Sequence, residues 1–381
     1  MLIERPPMGW NSWNTFGSNI NEKLIFEIAD AMVDTGLRDA GYEYLVIDDC
    51  WSLKQRDEAG NLVPDPEKFP NGMKHIADYV HSKGLKFGMY ACSGEYTCAG
   101  FPGSYLHEFQ DAETFASWDV DYLKLDNCMK PDVPSPTLYN TMGMALRYVD
   151  RDIVYSMCNW GRDDSWKWAR SVGASLYRST GDISDNYESM RDIAKSQLKN
   201  LAYTAPGCYN DLDMLITGMY GKGNVALGGC YESEYLFHFA LWCFFQSPLM
   251  IGCDVRHMSR ATRETLTNRE LIRIDQDLEC RQPFLVSHYG DSRVYFKHLE
   301  DNEYALACFN FGGTREKLFS DHSNAIPFEP YRIGLHERLG YKFDMVNVMT
   351  GERREGGVGR FFDFHVGPHD FEIYRAKLVE R

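Results

Sequence analysis

Apolar and polar positions along most of the chain predict strands and helices in turn. Short apolar runs predict buried strands at 42–48, 85–91, 121–126, 153–158, 175–180, 212–216 and 248–251. Apolar residues at helical spacing predict helices over 22–39, 73–83, 112–118, 137–148 and 234–245. Strict alternation favours a parallel α/β sheet, and roughly eight such units fit a closed (β/α)8 barrel better than an open sheet. We therefore predict a TIM barrel over residues 1–282.

The pattern changes after residue 282. Helical spacing fades, and short strands are predicted at 293–299, 303–311, 341–349 and 360–366. In the last of these, Phe364 and Val366 alternate with Asp363 and His365, as in an antiparallel strand with one face buried. We predict that residues 283–381 form a small C-terminal antiparallel β-sandwich with a structural role.

Composition narrows the classes of function. The 381 residues carry a formal net charge of -15, whereas nucleic-acid binding requires a basic surface, so we expect no nucleic-acid partner. No apolar run approaches the roughly 20 residues of a membrane span, and Glu4 stands where a signal peptide has a basic start, so we expect no membrane partner. The 11 cysteines show no CxxC pair and no zinc-type spacing, which predicts a cytoplasmic protein without metal or cofactor. The sequence does not decide the oligomeric state, and a homo-oligomer is one of the alternatives.

The stretch DYLKLDNC, residues 121–128, places charged side chains in an otherwise apolar strand. Because successive side chains point to opposite faces, Leu123 and Leu125 share one face, while Tyr122, Lys124 and Asp126 share the other. Burying these charges in an ordinary core would be costly. The second face therefore either meets solvent or lines a site.

Aspartates recur at the ends of four predicted strands, as Asp48 with Asp49, Asp126, Asp182, and Asp211 with Asp213. One such aspartate alone would more often be a helix cap, but the repetition favours a ring of carboxylates at the face of the barrel where active sites form. A Mg²⁺ or Ca²⁺ site is one option, which Lys124 and Arg178 oppose by their charge. The other is a sugar site, in which two facing carboxylates form a glycosidase pair.

Seven sequence blocks together resemble the signature of glycoside hydrolase family 27, the family of α-galactosidases and α-N-acetylgalactosaminidases. They occur in the family's order as MGWNSWNTFG, YLVIDDCW, TCAGFPGS, DYLKLDNC, CNWG, YRSTGDI and PGCYNDLDML. The likeness continues to the GPHDFEIYRA segment and is greatest for α-galactosidase. It implies a retaining exo-glycosidase that hydrolyses terminal α-galactosidic linkages of small-molecule or oligosaccharide substrates through a covalent glycosyl-enzyme.

The resemblance implies two catalytic roles. Asp126 corresponds to the family nucleophile and Asp182 to the acid/base, and in a retaining enzyme the two carboxyl groups lie about 5–5.5 Å apart. We expect Lys124 to keep Asp126 ionised. Asp182 needs drier surroundings in order to hold its proton.

The resemblance also implies a set of sugar-binding residues. Asp48 and Asp49 would bind the hydroxyls at C4 and C6 of galactose, Lys124 those at C3 and C4, and Arg178 the C2 side. Carboxylates that grip an axial C4 hydroxyl would reject glucose, because the wrong epimer leaves them unpaired.

Further pocket residues follow from the same resemblance. Trp13 and Tyr90 would form walls, and Asp211 would lie near the C2 edge. Asn159 stands where many α-galactosidases have glutamate. The resemblance therefore does not decide whether the pocket accepts a sugar with a hydroxyl or with an acetamide at C2. The retained Asp49 favours galactose over arabinopyranose.

Cys98 and Cys128, which we count among the substrate-binding residues, match a pair that forms a disulfide in much of the family. In a reducing cytoplasm they would be neighbouring thiols instead.

Other functions remain as alternatives. An α-N-acetylgalactosaminidase or a β-L-arabinopyranosidase would use the same fold. A catalytically silent galactose-binding protein would not need the pair Asp126 and Asp182. A metal-dependent barrel enzyme such as an aldolase would lose its activity to a chelator.

Overall fold

A parallel barrel forms the larger part of the molecule. The computed structural model describes residues 3–321, 341–357 and 361–380. Its first eight strands are β1 (Met8–Asn11), β2 (Tyr44–Val46), β3 (Lys86–Cys92), β4 (Tyr122–Asp126), β5 (Val154–Cys158), β6 (Leu176–Arg178), β7 (Tyr209–Asp211) and β8 (Leu249–Ile251). They pair in the order β7-β6-β5-β4-β3-β2-β1-β8. Leu215, beyond β7, closes the ring by a parallel bridge to Ile251 of β8. The predicted TIM barrel is confirmed.

Helices surround this sheet. They are α1 (Trp13–Phe16), α2 (Glu22–Asp34), α3 (Gly72–Ser82), α4 (Glu108–Ser117), α5 (Ser135–Tyr148), α6 (Tyr187–Ser196), α7 (Glu232–Phe244), α8 (Arg260–Leu266) and α9 (Arg269–Asp275). In α2, Asn21 caps the first turn by accepting from Leu24 N at 2.9 Å, and Ile25, Ile28 and Met32 form its buried stripe. Within the described residues, no helix is long and apolar enough to cross a bilayer.

Within the barrel, the strand positions differ from the prediction in two places. The prediction missed β1, because only four residues of this segment pair as a strand. The predicted strand at 212–216 is wrong, since β7 ends at Asp211. The backbone of Asp213 is left-handed, with φ at 83°, so the chain turns there although the residues around it are apolar.

The two faces of β4 match the expectation. Leu123 and Leu125 belong to the main core that includes the helices. Tyr122 instead packs in a separate cluster inside the barrel, together with Tyr44 and Leu176. Since side chains alternate along a strand, Lys124 and Asp126 follow Tyr122 toward the carboxyl-terminal mouth of the barrel.

The remaining strands are antiparallel. They are β9 (Phe284–Tyr289), β10 (Ser292–His298), β11 (Glu303–Asn310), β12 (Glu316–Asp321), β13 (Tyr341–Asn347), β14 (Arg353–Gly357), β15 (Phe361–Val366) and β16 (Asp370–Glu380). Six form one sheet in the order β14-β13-β16-β11-β10-β9, and β12 pairs with β15. Phe364 and Val366 of β15 are buried against Val294 and Phe296 of β10. This confirms the predicted sandwich. The predicted division at 282/283 falls between α9 and β9, and residue 360 of the last predicted strand lies outside the described residues.

The other face of the six-stranded sheet packs on α7, which is buried on nearly all sides. The ring centres of Phe237 and Phe309 are 5.6 Å apart, and those of Phe244 and Phe309 are 5.7 Å apart. From β10, the buried Lys297 donates to the carbonyl oxygens of Phe244 at 3.4 Å and Ile274 at 3.2 Å, which lie at the ends of α7 and α9. The sheet therefore completes the core on one side of the barrel and satisfies helix-terminal carbonyls.

Candidate active site

The predicted site residues lie at the carboxyl-terminal ends of successive barrel strands or in the loops that follow, where barrel enzymes place their active sites. By strand they are Trp13 after β1, Asp48 and Asp49 after β2, Tyr90 in β3 and Cys98 after it, Lys124 and Asp126 in β4 and Cys128 after it, Asn159 after β5, Arg178 in β6 and Asp182 after it, and Asp211 in β7.

Asp48 and Lys124 form a buried ion pair at the centre of this face. Lys124 Nζ donates to Asp48 Oδ2 at 2.8 Å, and the side chains are 17% and 2% exposed. Asn11 Nδ2 donates to the same oxygen at 2.7 Å, while Ser12 Oγ accepts from Asp48 N at 2.9 Å. Burial alone would lower the pKa of Lys124, but the charge of Asp48 raises it well above its usual value. Lys124 is therefore held in its charged form, and the pair is fixed in position.

Asp126 is held in a single orientation. Tyr90 Oη donates to Asp126 Oδ2 at 3.1 Å, and Asn127 N donates to Oδ1 at 3.0 Å. Burial raises the pKa of Asp126 to about 6, although Lys124 acts in the opposite direction. The charge of Asp182 makes a smaller contribution to this rise in the pKa of Asp126.

The loop between β3 and α4 fixes Asp49. Ala99 N donates to Asp49 Oδ2 at 3.1 Å, and Cys50 N donates to Oδ1 at 2.7 Å. Cys98 in this loop forms a disulfide with Cys128, whose Cα lies 5.1 Å away. The Sγ of Cys98 lies 3.8 Å from Asp126 Oδ2. The disulfide therefore joins the loop that holds Asp49 to the turn directly after the strand that carries Asp126.

Arg178 links two carboxylates. Its Nη2 donates to Asp182 Oδ1 at 2.7 Å and to Asp213 Oδ2 at 2.6 Å, and Ile183 N donates to the same oxygen of Asp213 at 2.7 Å. The side chain of Arg178 is 4% exposed and that of Asp213 9%, whereas that of Asp182 is 72% exposed. Asp213 thus anchors Arg178 from below, and Asp182 meets it at the rim.

The surroundings of Asp182 differ from the expectation. Its side chain is largely exposed and accepts from Trp160 Nε1 at 3.1 Å. The surrounding protein acts to raise the pKa of Asp182, but the guanidinium of Arg178 outweighs this effect and lowers the pKa below its usual value. The expected dry setting is therefore wrong for Asp182, because it lies in a loop beyond β6, whereas Asp126 lies on a buried strand.

Three other predicted residues lie around this centre. Trp13 is half-buried at the start of α1. Asp211 Oδ1 accepts from Asp213 N at 2.8 Å. Asn159 is fully buried, and its Nδ2 donates to Arg162 O at 2.8 Å. Asn159 therefore supports the loop after β5, and its place near the C2 substituent stays a prediction.

Comparison with known proteins agrees with this geometry. A family model described as "Alpha galactosidase A" matches residues 5–277. The alpha-galactosidase of Cyamopsis tetragonoloba is 46% identical over 324 residues, which cover 85% of this chain and 77% of that protein. Alpha-galactosidase A of Cellvibrio japonicus is 44% identical over 387 residues, covering 98% and 92%.

The chain belongs to the α-galactosidase family. This confirms the assignment to glycoside hydrolase family 27. A solved structure of the Saccharomyces cerevisiae α-galactosidase with raffinose has a TM-score of 0.87 and 27% identity, and the match covers 99% of this chain and 98% of that one. The protein is thus a glycoside hydrolase of this family.

The metal option is not supported by the geometry. In the part of the chain that the structure describes, one group of three side chains brings possible ligand atoms within 4.8 Å of one another: Cys98, Asp126 and Cys128. Metals bind thiolates, and these two sulfurs are joined in a disulfide. The charges around Asp126 therefore serve a family glycosidase site better than a cation site.

Sequence reasoning left two supporting residues of this family site unassigned. Asp213 was counted with Asp211 among the strand-terminal aspartates but was given no role, yet it anchors Arg178. Asn11 donates to Asp48 and was not singled out. Its signal is its place in the WNSWN block, at the end of β1 and beside β2.

Proposed function

We propose that this enzyme removes terminal α-galactose residues from small galactosides and oligosaccharides, with retention of configuration at the anomeric carbon. One observation carries the proposal: Asp126 and Asp182 lie on the same carboxyl-terminal face of the barrel as the buried Asp48–Lys124 pair. A pair of carboxylates supplies nucleophile and acid, and the charged pair supplies fixed partners for sugar hydroxyls.

Asp126 acts as the nucleophile. Tyr90 and Asn127 N hold the carboxylate by one hydrogen bond on each oxygen, which fixes its direction of attack. With a pKa of about 6, the group is mostly ionised at neutral pH. Attack of one oxygen on the anomeric carbon forms the glycosyl-enzyme, while the bond to the leaving oxygen breaks.

Asp182 acts as the acid and then as the base. In the structure it is paired with Arg178, which favours the ionised form. A sugar hydroxyl that accepts from Arg178 competes with this pairing, and a bound sugar also excludes water from Asp182. Both changes raise the pKa of Asp182, so substrate binding itself prepares the acid to protonate the leaving oxygen. In the second step the ionised Asp182 takes a proton from the attacking water.

Discrimination between sugars rests on the groups around Lys124. Asp48 and Lys124 are held by neighbours, and Asp49 is fixed by Ala99 N, so none can turn to satisfy a misplaced hydroxyl. An epimer with an equatorial C4 hydroxyl leaves these groups desolvated and unpaired, which costs about 1–3 kcal/mol for each group. The axial hydroxyl of galactose fits the proposed pocket.

A panel of aryl α-galactoside, α-N-acetylgalactosaminide and β-L-arabinopyranoside substrates tests the proposal. We expect the galactoside to be cleaved fastest, and NMR to show the α-anomer of galactose as the first product. Asp126→Ala should lose several orders of magnitude in kcat. Near-normal turnover by this variant would show that another group is the nucleophile.

We further propose a cytoplasmic location. Nine cysteines have free thiols, and all of them except Cys230 are buried, which suits a reducing compartment. The disulfide between Cys98 and Cys128 is the opposing observation. Fractionation of cells of the source species tests the location, and activity recovered outside the cytoplasm would refute it.

A further inference from the structure

A buried carboxylate ties the loop after β6 to the long loop before α7. Asp185 is fully buried, and its Oδ1 accepts from Tyr235 Oη at 2.8 Å, while its Oδ2 accepts from Gly221 N at 2.7 Å. Asp185 N donates to Val225 O at 3.0 Å, and Asp185 O accepts from Gly229 N at 2.8 Å. All four polar atoms of this residue are therefore bonded to α7 or to the loop that leads into it.

The hydrogen bonds around Tyr235 fix the direction of the contact between the two side chains. Tyr235 Oη accepts from Tyr220 N at 2.7 Å and from Cys230 N at 3.2 Å. Because both lone pairs of the hydroxyl are taken, its single proton points to Asp185, which thus receives two donors, as an ionised carboxylate does. Burial raises the pKa of Asp185, whereas the hydrogen bonds from Tyr235 and Gly221 N act in the opposite direction. An amide at this position would turn an N–H group toward a donor on one side.

The chain segment 220–230, to which this carboxylate is bonded, also contacts the wall of the site. Asn224 N donates to Asn14 O at 2.8 Å, and Asn14 follows Trp13 in α1. Gly223 permits the close approach, because its φ is 93° and a Cβ there would lie 2.8 Å from Asn14 O. The segment is therefore held on α1 as well, and it offers a fixed support to the loop after β6.

The backbone around Asp182 is anchored mainly on the side that follows it. Before it, a Cβ built at Gly181 would meet no atom of the described residues within 4 Å. After it, Ile183 N donates to Asp213 Oδ2 at 2.7 Å. Asp185 comes two residues later and bonds the loop to the 220–230 segment. The position of the Asp182 carboxyl group therefore depends on these later anchors.

We propose that Asp185 is a positioning residue, which sets the place and direction of the Asp182 carboxyl group by bonding the loop after β6 to the 220–230 segment. The inference rests on the proposed function, because that function assigns the role of acid to Asp182. Asp185 acts through the backbone and does not touch the substrate. Since a displacement of about 1 Å in a catalytic group can cost about 100-fold in rate, Asp185 matters for each step in which Asp182 transfers a proton.

Two galactosyl donors separate positioning from folding. α-Galactosyl fluoride releases fluoride without an acid, whereas methyl α-galactoside requires protonation of the leaving oxygen. We expect Asp185→Asn to lower kcat/KM by about 10–100-fold on methyl α-galactoside and by less than about twofold on the fluoride. Tyr235→Phe removes the same hydrogen bond from the other side and should give the same pattern. Because the two residues share one contact, the double variant should lose little more than either single variant.

A similar pair far from the site provides the matched control. Tyr79 Oη donates to Asp30 at 3.0 Å between α3 and α2, and Tyr79→Phe should leave the ratio of kcat/KM on the two donors unchanged. Equal loss on both donors in the Asp185 and Tyr235 variants, or no loss on methyl α-galactoside in either, would overturn the positioning role. Asp182→Ala should itself lose activity selectively on methyl α-galactoside. Equal loss on both donors in that variant would instead overturn the acid role of Asp182 in the proposed function, and the inference with it.

Discussion

Replacing Asp126 by asparagine should make the protein more stable at neutral pH. Asp126 is 6% exposed, and burial raises the pKa of its carboxyl group from 3.8 to about 6. When the folded state holds a carboxyl pKa above the unfolded value, the protein loses stability as the pH rises past the unfolded pKa, and the loss is complete above the folded pKa. Asparagine removes the charge while keeping the size and the hydrogen-bonding oxygen.

The magnitude follows from the shift in pKa. A shift of about two units at about 1.36 kcal/mol each gives about 3 kcal/mol. The unfolded chain ionises above pH 3.8 and the folded site above about pH 6, so the penalty grows between these values and is complete above them. We therefore expect Asp126→Asn to exceed the unaltered enzyme by about 3 kcal/mol at pH 7.5 and by about 1 kcal/mol at pH 4.5.

The remaining partners of the site accept this change. Asn127 N can still donate to the amide oxygen, and Tyr90 Oη can accept from the amide nitrogen by turning its hydroxyl hydrogen. Lys124 loses one nearby negative charge but keeps Asp48 at 2.8 Å. Both neighbours of residue 126, Asn127 N and Tyr90 Oη, therefore keep a hydrogen bond to the new side chain.

Urea unfolding at both pH values, followed by tryptophan fluorescence, measures the difference. Asp57→Asn is the matched control, because Asp57 is exposed and hydrogen bonds from Asn61 lower its pKa. This control should be slightly less stable than the unaltered enzyme at pH 7.5, which is the opposite sign. An Asp126→Asn protein that is no more stable than the unaltered enzyme at pH 7.5 would refute the argument that burial dominates at Asp126.

Three further predictions follow from charges in the structure. α-Galactosyl fluoride needs no acid catalyst, so its kcat/KM should fall as the pH is lowered, with an apparent pKa of about 6, because Asp126 gains a proton. A kcat/KM that stays constant down to pH 4.5 would contradict this. Galactose binding near pH 5 should take up protons, because the sugar releases Asp182 from Arg178, and calorimetry in buffers of different ionisation enthalpy measures this uptake. The Asp182→Asn variant should show no uptake. Lys297→Met should lose about 3–5 kcal/mol of stability, because two helix-terminal carbonyls lose their donor and the buried Asp275 loses its nearby cation. Thermal or urea unfolding measures the loss, and a loss no larger than that of Lys195→Met, where the lysine bonds Asp291 at the surface, would contradict this role of Lys297.

Local pattern was sufficient for much of the barrel and the central residues of the site. The period of two in residues 121–126 separates Leu123 from Lys124, and the structure has the same two faces. Strand-terminal aspartates predicted the face of the barrel, since parallel strands bring their carboxyl ends together. These inferences depend only on residues within one element and on the topology.

Features that depend on backbone turns or on residues distant in the chain could not be predicted from the sequence. Asp213 anchors Arg178 because the chain turns at its left-handed backbone, whereas the apolar residues around it suggested a strand. The exposure of Asp182 and the burial of Asn159 are set by how loops after β5 and β6 pack on each other. No spacing along the chain encodes such packing.

The position of α7 has a consequence for how this enzyme can be divided. Phe237 and Phe244 of this helix lie against Phe309 of the six-stranded sheet, so this helix of the barrel also covers one face of that sheet. A fragment ending at residue 282 would turn these aromatic rings toward water and invite self-association. The barrel and the sandwich should therefore be kept together in any truncated or fused form of the enzyme. Insertions and fusions belong in surface loops on other sides of the molecule.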